Sequence, residues 1–257
     1  MLQCPNLEQE NELYGDGHEL VAGIDEAGRG ALAGPVVAGA VILPHPADLP
    51  WLALVRDSKA LNARQREALF DLISSEALAV GIGIVASEVI DSMNILRATK
   101  LAMMQAVEKL PRQPTFLLID RVTLPQCAIA QKGITRGDSS CLSIACASII
   151  AKVARDHLME DFDRVHPGYG FARHKGYGTR SHLSCMRKLG PSPIHRVYFA
   201  PVRDLIAGRG SGTLASGHCE PFAFCHPEGV SVKSGRPKNL SRSKRHRGRR
   251  DGSSGSR

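Results

Sequence analysis

Long apolar runs are missing from this 257-residue chain. No stretch approaches the ~18 apolar residues of a membrane span, so the sequence predicts a protein that does not cross a bilayer. Lys and Arg are missing from the first 28 positions, which instead hold Glu8, Glu10, Glu12, Asp16 and Glu19. A signal or transit peptide needs the opposite charge there, so neither is expected and the cytoplasm is the expected compartment. A paired cysteine set is missing too: the seven cysteines are odd in number and scattered, which argues against a disulfide framework. The body of the chain also lacks excess charge of either sign. The net +8 comes from the end of the chain, where residues 233–257 hold ten of the 33 Lys and Arg against the single acid Asp251. The remainder carries 23 basic and 24 acidic residues. A surface for a polyanion on that neutral body must be locally basic or use metal ions, while the basic end is suited to sequence-independent phosphate contact.

What is present is enough apolar material, 43% of residues, to bury a substantial core. Two apolar, β-branched stretches, 21–25 and 36–43, flank the Gly-rich GRGALAGP and predict a hairpin-like strand pair. AVGIGIVA at 79–86 predicts a third strand, TFLLID at 115–120 a fourth, and the region near 126–131 a fifth. Helical spacing of Leu69, Phe70, Leu72 and Ile73 behind Asn62 predicts a capped helix over 62–77. NILRATKLAMMQAVEKL predicts a helix over 94–110, stopped by Pro111. The stretch 139–162 reads as one long helix whose Ala145, Ala147 and Ala151 permit close packing, and a shorter helix is expected over 179–189. Beyond about Ala207 the composition turns to Gly, Ser, Arg and Lys, which cannot offset its own ordering entropy, so disorder is expected there. His218, Cys219, Cys225 and His226 do not have the spacing of a zinc site.

The chemistry-bearing residues are acids at element ends. Asp25 and Glu26 interrupt an apolar strand, where carboxylates cost several kcal/mol unless paired. Asp120 ends another strand, and Asp138 directly precedes the 139–162 helix. Oxygen ligands of this kind suit Mg²⁺ or Mn²⁺, and two such ions about 3.5–4 Å apart would activate water and stabilise the leaving oxygen at phosphorus. Each acid also has a plainer reading, Asp138 as a cap and Asp120 as a turn residue, and spacing alone leaves both open. Asp156 lies about 27 Å along the same expected helix from Asp138, too far to share a metal pair, and is read as structural. Tyr169, His174, His182 and His195 are read the same way.

In chain order, GIDEAGRGALAGPVVAGAVIL, DSKAL, NILRATKLAM, LLID, RGDSS with IACASIIAKVARDHLM, HKGYGTRSHL and HRVYFAPV span about residues 20–205. Seven ordered blocks of this kind resemble bacterial ribonuclease HII. The resemblance implies an α/β ribonuclease H-like fold: a central five-stranded mixed sheet flanked by helices, with a helical C-terminal extension. With it go an N-terminal extension over 1–19, a catalytic domain over 20–206 and a basic tail over 207–257. It implies endonucleolytic cleavage of RNA paired with or embedded in DNA, leaving 5′-phosphate and 3′-hydroxyl ends, by a monomer using two divalent ions. The family's metal-binding and catalytic acids fall on Asp25, Glu26, Asp120 and Asp138. Its Gly-Arg-Gly motif falls on Gly28, Arg29 and Gly30, and its substrate-sensing tyrosine on Tyr177.

The chemistry is coherent with that assignment. Telling RNA from DNA means detecting a 2′-hydroxyl, and glycines let the main chain approach it while Arg29 holds a phosphate. Lys59, in DSKAL, is a candidate phosphate ligand, with a solvated loop lysine as the alternative. The chain departs from the family pattern at Arg121, where Gly is usual, and at Arg136, where Lys is usual. Arg121 is expected to lower the pKa of Asp120 or to touch substrate. Two other readings compete: another metal-dependent nuclease of this fold, and a basic nucleic-acid-binding protein without catalysis.

Overall fold

The computed structural model describes residues 4–209. The apolar runs form one mixed sheet in the order β3-β2-β1-β4-β5. Its strands are β1 (Val21–Ala27), β2 (Val36–Ile42), β3 (Ala79–Val85), β4 (Phe116–Asp120) and β5 (Ala130–Ile134). β2 runs antiparallel to β1 and β3, whereas β1, β4 and β5 run parallel. The helices are α1 (Glu8–Gly15), α2 (Ala63–Glu76), α3 (Ser87–Met93), α4 (Ile95–Glu108), α5 (Gly137–Ser140), α6 (Leu142–Val165), α7 (Phe171–His174), α8 (Arg180–Leu189) and α9 (Ala200–Arg209). Among the described residues no helix is long and apolar enough to cross a membrane.

β2 is buried at every position because helices cover both faces of the sheet. On one face α4 closes a core of Ile24, Ile42, Met103, Leu117 and Ile119. On the other, α6 and α2 close over Val41, Trp51, Ile73, Ile149 and Ile150. Each such buried aliphatic side chain contributes about 1.5–3 kcal/mol. Both helices press onto bare strand backbone. A Cβ on Gly39 would lie 2.5 Å from the Ala147 carbonyl oxygen in α6, and one on Gly83 would lie 1.9 Å from that of Ala102 in α4. The small residues anticipated in α6 thus meet glycines in the strands.

Local signals explain several boundaries. Asn62 and Gln65 exchange side-chain and backbone hydrogen bonds, both 3.0 Å, in a capping box at the start of α2. The Asn94 side chain accepts from the Leu96 and Arg97 N–H groups and starts α4, and Thr179 caps α8. Three boundaries differ from expectation. The fifth strand lies at Ala130–Ile134 instead of 126–131, because the Gln131 side chain bonds both the N–H and the C=O of Leu124 and holds the preceding stretch in a turn. β1 continues through Ala27, so Glu26 belongs to the strand and not to the Gly-rich turn. The long helix expected from 139 is interrupted at Cys141, whose backbone is extended (φ −123°, ψ 125°). Asp138 therefore sits in the separate short helix α5, and an axial distance along one helix cannot be used to separate it from Asp156.

The N-terminal stretch is part of the fold: Leu13 of α1 packs with Val21, Leu118, Cys141 and Ile144. The C-terminal helices pack on the Gly-rich loop, where Ala33 joins Met159, Phe171 and Ile194, and Leu32 joins Met186 and Val202. α9 runs through Arg209. The stretch from 210 onward, with the expected disorder and the cysteine and histidine residues 218–226, lies outside the described residues.

Candidate active site

The parallel pairing of β1 and β4 ends at Ile24 opposite Ile119. The next residues, Asp25 and Asp120, therefore stand side by side at about 5 Å strand spacing, with side chains on the same face. That face is covered by α6, whose Ser148 hydroxyl, hydrogen-bonded to Ser58 at 2.8 Å, pulls the Asp25 pKa down against the larger effect of burial. Both acids are buried, 5% and 8% exposed. Asp120 accepts from the Gly137 N–H at 2.8 Å, which ties it to α5 and so to Asp138. Asp25 accepts from the Glu26 N–H at 2.7 Å.

The electrostatics show a surplus of negative charge. Burial, the charge of Glu26 and that of Asp120 hold the Asp25 carboxyl well above its ordinary 3.8. Glu26 is raised by burial and by Asp120, against the pull of Arg29, whose Nη1 lies 3.4 Å from its Oε1. Asp120 is raised by burial and by Asp138, although the Gly137 N–H, Arg121 and Lys59 pull it down. The expected lowering of Asp120 by Arg121 is thus outweighed, because the guanidinium stands 3.7 Å away on a largely exposed side chain while the carboxyl is buried. Arg121 adopts the left-handed conformation (φ 60°) that a glycine takes freely, and its side chain is largely exposed. Lys59 donates to Asp138 at 3.0 Å. Burial opposes its charge, but Asp138, Asp57 and Asp25 together raise its pKa.

This donor set fits a hard divalent cation: carboxylate oxygens on buried backbone, mutually repelling, with their nearby cations on exposed side chains. Among the described residues no three of His, Cys, Asp and Glu are arranged to hold one ion by themselves. The fit therefore rests on donor chemistry and charge, with water and substrate oxygens completing any shell.

Beside the acids runs the loop 28–35. Gly28 has φ 91°, and a Cβ there would lie 1.9 Å from the Arg155 Nε, so the position excludes any side chain. Gly30 is different, since a Cβ there would meet nothing within 4 Å. The loop is held by Arg196, fully buried, which donates to the carbonyls of Gly28 (2.8 Å), Arg29 (3.0 Å), Gly34 (2.9 and 3.0 Å) and Pro35 (3.2 Å). Arg155, also buried, donates to Ala33, Pro35 and Lys175 carbonyls. Its guanidinium lies 5.5 Å from the centre of the Tyr177 ring, which is 38% exposed. Gly28, Arg155 and Tyr177 are thus consecutive neighbours. The Leu32 N–H donates to the Gly176 carbonyl at 2.8 Å and joins the Tyr177 segment to the loop.

A family model, "Ribonuclease HII", matches residues 22–202. The chain belongs to the ribonuclease HII family. It is 54% identical over 205 residues to the ribonuclease HII of Dehalococcoides mccartyi, covering 80% of this chain and 97% of that one. It is 55% identical over 188 residues to that of Geobacter sulfurreducens, covering 73% and 85%. Among solved structures the ribonuclease H2 of Pyrococcus horikoshii OT3 superposes with a TM-score of 0.63 at 25% identity, over 75% of this chain and all of that one. Ribonuclease HII is a family of hydrolytic endonucleases, and ribonuclease H activity follows for this chain.

In this ribonuclease HII chain, Asp25, Glu26, Asp120 and Asp138 act on one another electrostatically, and Gly28, Arg29 and Gly30 follow directly on β1. Lys59 reaches the acids through Asp138, and Tyr177 reaches the loop through Arg155. The residues read as structural lie elsewhere. Asp156 pairs with Lys152 at 2.6 Å. His174 stacks on His182 at 4.2 Å, and His182 lies 3.0 Å from His195. Burial lowers the pKa values of His182 and His195 to about 4, so these two rings are neutral near pH 7, and the His182 Nδ1 supports the Tyr177 carbonyl. Tyr169 donates its hydroxyl to the Gly190 carbonyl. The sequence reading missed Arg155, Arg196 and Ser148. Arg155 and Arg196 lie inside the blocks VARDHLM and HRVYFAPV, and an arginine embedded in an apolar block is the signal that was available.

Proposed function

We propose that this ribonuclease HII cleaves the RNA strand of RNA–DNA hybrids and nicks on the 5′ side of single ribonucleotides in duplex DNA, leaving 5′-phosphate and 3′-hydroxyl ends. The observation that carries the proposal is the adjacency of Asp25 and Asp120 at the end of the β1–β4 pairing, beside a loop whose backbone is pinned by Arg196.

Asp25, Glu26, Asp120 and Asp138 would hold two divalent ions, Mg²⁺ or Mn²⁺. When bound, such ions supply a nucleophilic water at neutral pH and charge stabilisation for the leaving oxygen. The protein's own residues do the rest. Asp25, Glu26 and Asp120, raised in pKa by burial and by neighbouring carboxylates, favour whatever brings positive charge among them. Lys59 neutralises Asp138 and offers its exposed ammonium to a backbone phosphate. Gly28, Arg29 and Gly30 present main chain to the ribose 2′-hydroxyl, and the half-exposed Arg29 holds the adjoining phosphate. Tyr177, backed by Arg155, packs on the following sugar. Five cysteines among the described residues are free thiols, in keeping with a reducing compartment, and a cytoplasmic monomer is part of the proposal.

The test uses a DNA duplex bearing one ribonucleotide, incubated with the full chain and Mg²⁺ or Mn²⁺. A nick on the 5′ side of the ribonucleotide, and none in the all-DNA duplex, is expected. Cleavage of the all-DNA control, or cleavage only on the 3′ side, overturns the reading.

A further inference from the structure

The first turn of a helix leaves N–H groups without intrahelical partners, and a local Ser, Thr, Asp or Asn usually takes one of them. α6 has no such cap: its N-cap residue, Cys141, makes no side-chain capping bond. The orphan N–H groups are met from the other end of the chain. The Leu142 N–H donates to the Asn6 carbonyl at 2.9 Å, and the Ser143 N–H donates to Glu10 Oε1 at 2.8 Å. The Cys141 thiol donates to the same Glu10 oxygen at 3.1 Å. The Asn6 N–H donates to the Ser140 carbonyl at 3.2 Å, closing a short parallel bridge between Asn6 and Cys141.

These four bonds straddle Cys141, the joint at which α5 ends and α6 begins. α5 is one turn of four residues and carries Asp138. A helix that short does not hold itself. At its start, the Gly137 N–H is held by Asp120. At its end, the only holds on the Ser140–Ser143 backbone from outside the two helices and their joint, among the described residues, are those from Asn6 and Glu10. Glu10 is 1% exposed and its Oε2 has no partner. A buried carboxylate with one bare oxygen costs stability, offset here by the positive end of α6. A local cap at position 141 would satisfy the helix at lower cost, but it would not connect α1 to the Asp138 turn.

We propose that Glu10, seconded by Asn6, is a positioning residue for the active site: it fixes the turn that aims Asp138 at the other acids. This rests on the reading of Asp138 as a metal-site acid. It gives the stretch before residue 20 a role in the chemistry.

The experiment compares the full chain with Glu10→Ala, Glu10→Gln and, as a control on the exposed side of α1, Glu8→Ala. Three quantities are measured: kcat and KM on the one-ribonucleotide duplex, Mn²⁺ affinity by titration calorimetry, and hydrogen exchange at the Leu142 and Ser143 amides. Glu10→Ala is expected to lower kcat about tenfold with KM unchanged, the equivalent of one charge-assisted hydrogen bond. It should also weaken Mn²⁺ binding several-fold and expose both amides to exchange. Glu10→Gln keeps an acceptor oxygen and should recover most of each loss, and Glu8→Ala should match the parent. A folded Glu10→Ala protein with the parent's kcat and Mn²⁺ affinity overturns the proposal, as does a Glu10→Gln protein no better than Glu10→Ala. If Glu10→Ala does not fold, Cys141→Ala leaves the Glu10 carboxyl in place, removes the thiol with its contacts to Glu10 and Ser143, and should lower kcat and Mn²⁺ affinity about threefold; no change in either overturns the proposal. Failure of the functional reading would be seen separately, as a parent chain that leaves the ribonucleotide duplex intact. Mn²⁺ affinity and amide exchange would then still decide the role of Glu10.

Discussion

Arg155 and Arg196 share the carbonyl of Pro35, which accepts from the Arg155 Nε at 2.9 Å and from the Arg196 Nη2 at 3.2 Å. Two like charges converge on one oxygen in the interior, and among the described residues neither has a carboxylate within salt-bridge distance. Main-chain carbonyls stand in for counter-ions, and their geometry fixes the loop that carries Gly28 and Arg29. Burial lowers the pKa of both guanidiniums, yet arginine stays protonated in proteins and its donors are used here.

Arg196→Ala should cost about 3 kcal/mol or more, because several buried carbonyls lose their donor at once. Arg196→Lys should recover little, since a point-like ammonium cannot span the carbonyls of Gly28, Arg29, Gly34 and Pro35. Chemical denaturation of the three proteins checks this, with a lysine variant as stable as the parent as the contrary result.

Glycine substitutions should separate folding from function. Gly28→Ala collides with Arg155 at a left-handed backbone position and should lower the melting temperature by several degrees. Gly30→Ala meets nothing within 4 Å, so its stability should stay within about 0.5 kcal/mol of the parent. Its discrimination between ribonucleotide and all-DNA duplexes should nonetheless fall, as read by competition binding.

Asp25→Asn and Asp120→Asn should each reduce cleavage by about a hundredfold or more. Asp25→Asn should at the same time raise the melting temperature of the metal-free protein, because it removes a buried charge repelled by Glu26 and Asp120. A fall in both quantities would show that Asp25 serves stability and not the site.

The pH dependence of the metal-free protein follows from the raised acids. Asp25, Glu26 and Asp120 have folded pKa values above their unfolded ones, near 3.8 for Asp and 4.5 for Glu. The folded state then binds more protons than the unfolded state between those limits, so stability is fullest below about pH 4 as far as these groups act and declines as pH rises through the folded values. Mn²⁺ or Mg²⁺ should restore it increasingly toward neutral pH. Melting curves with and without metal across pH 4–8 measure this, and a metal increment that shrinks with pH would contradict it.

Much of the fold was legible along the chain. The Asn62 cap, the Asn94 start of α4 and the Ala-rich face of α6 are local signals, decided by residues within a turn of one another. The break at Cys141 was not legible, because its cause lies at Asn6 and Glu10, more than a hundred residues away. β5 was displaced in the reading for a related reason: the Gln131 side chain, not a backbone propensity, sets where the turn stops.

For the site, the sequence by itself determined the inventory: four acids at element ends, a Gly-Arg-Gly turn, a tyrosine between glycines and an excess of charge confined to residues 233–257. Only the tertiary structure decided which of these meet and in what electrostatic state. Strand register set Asp25 beside Asp120, and burial then reversed the lowering of Asp120 that Arg121 had suggested. Residue type is a property of each position, whereas adjacency across the sheet and loss of water arise only when distant segments pack together.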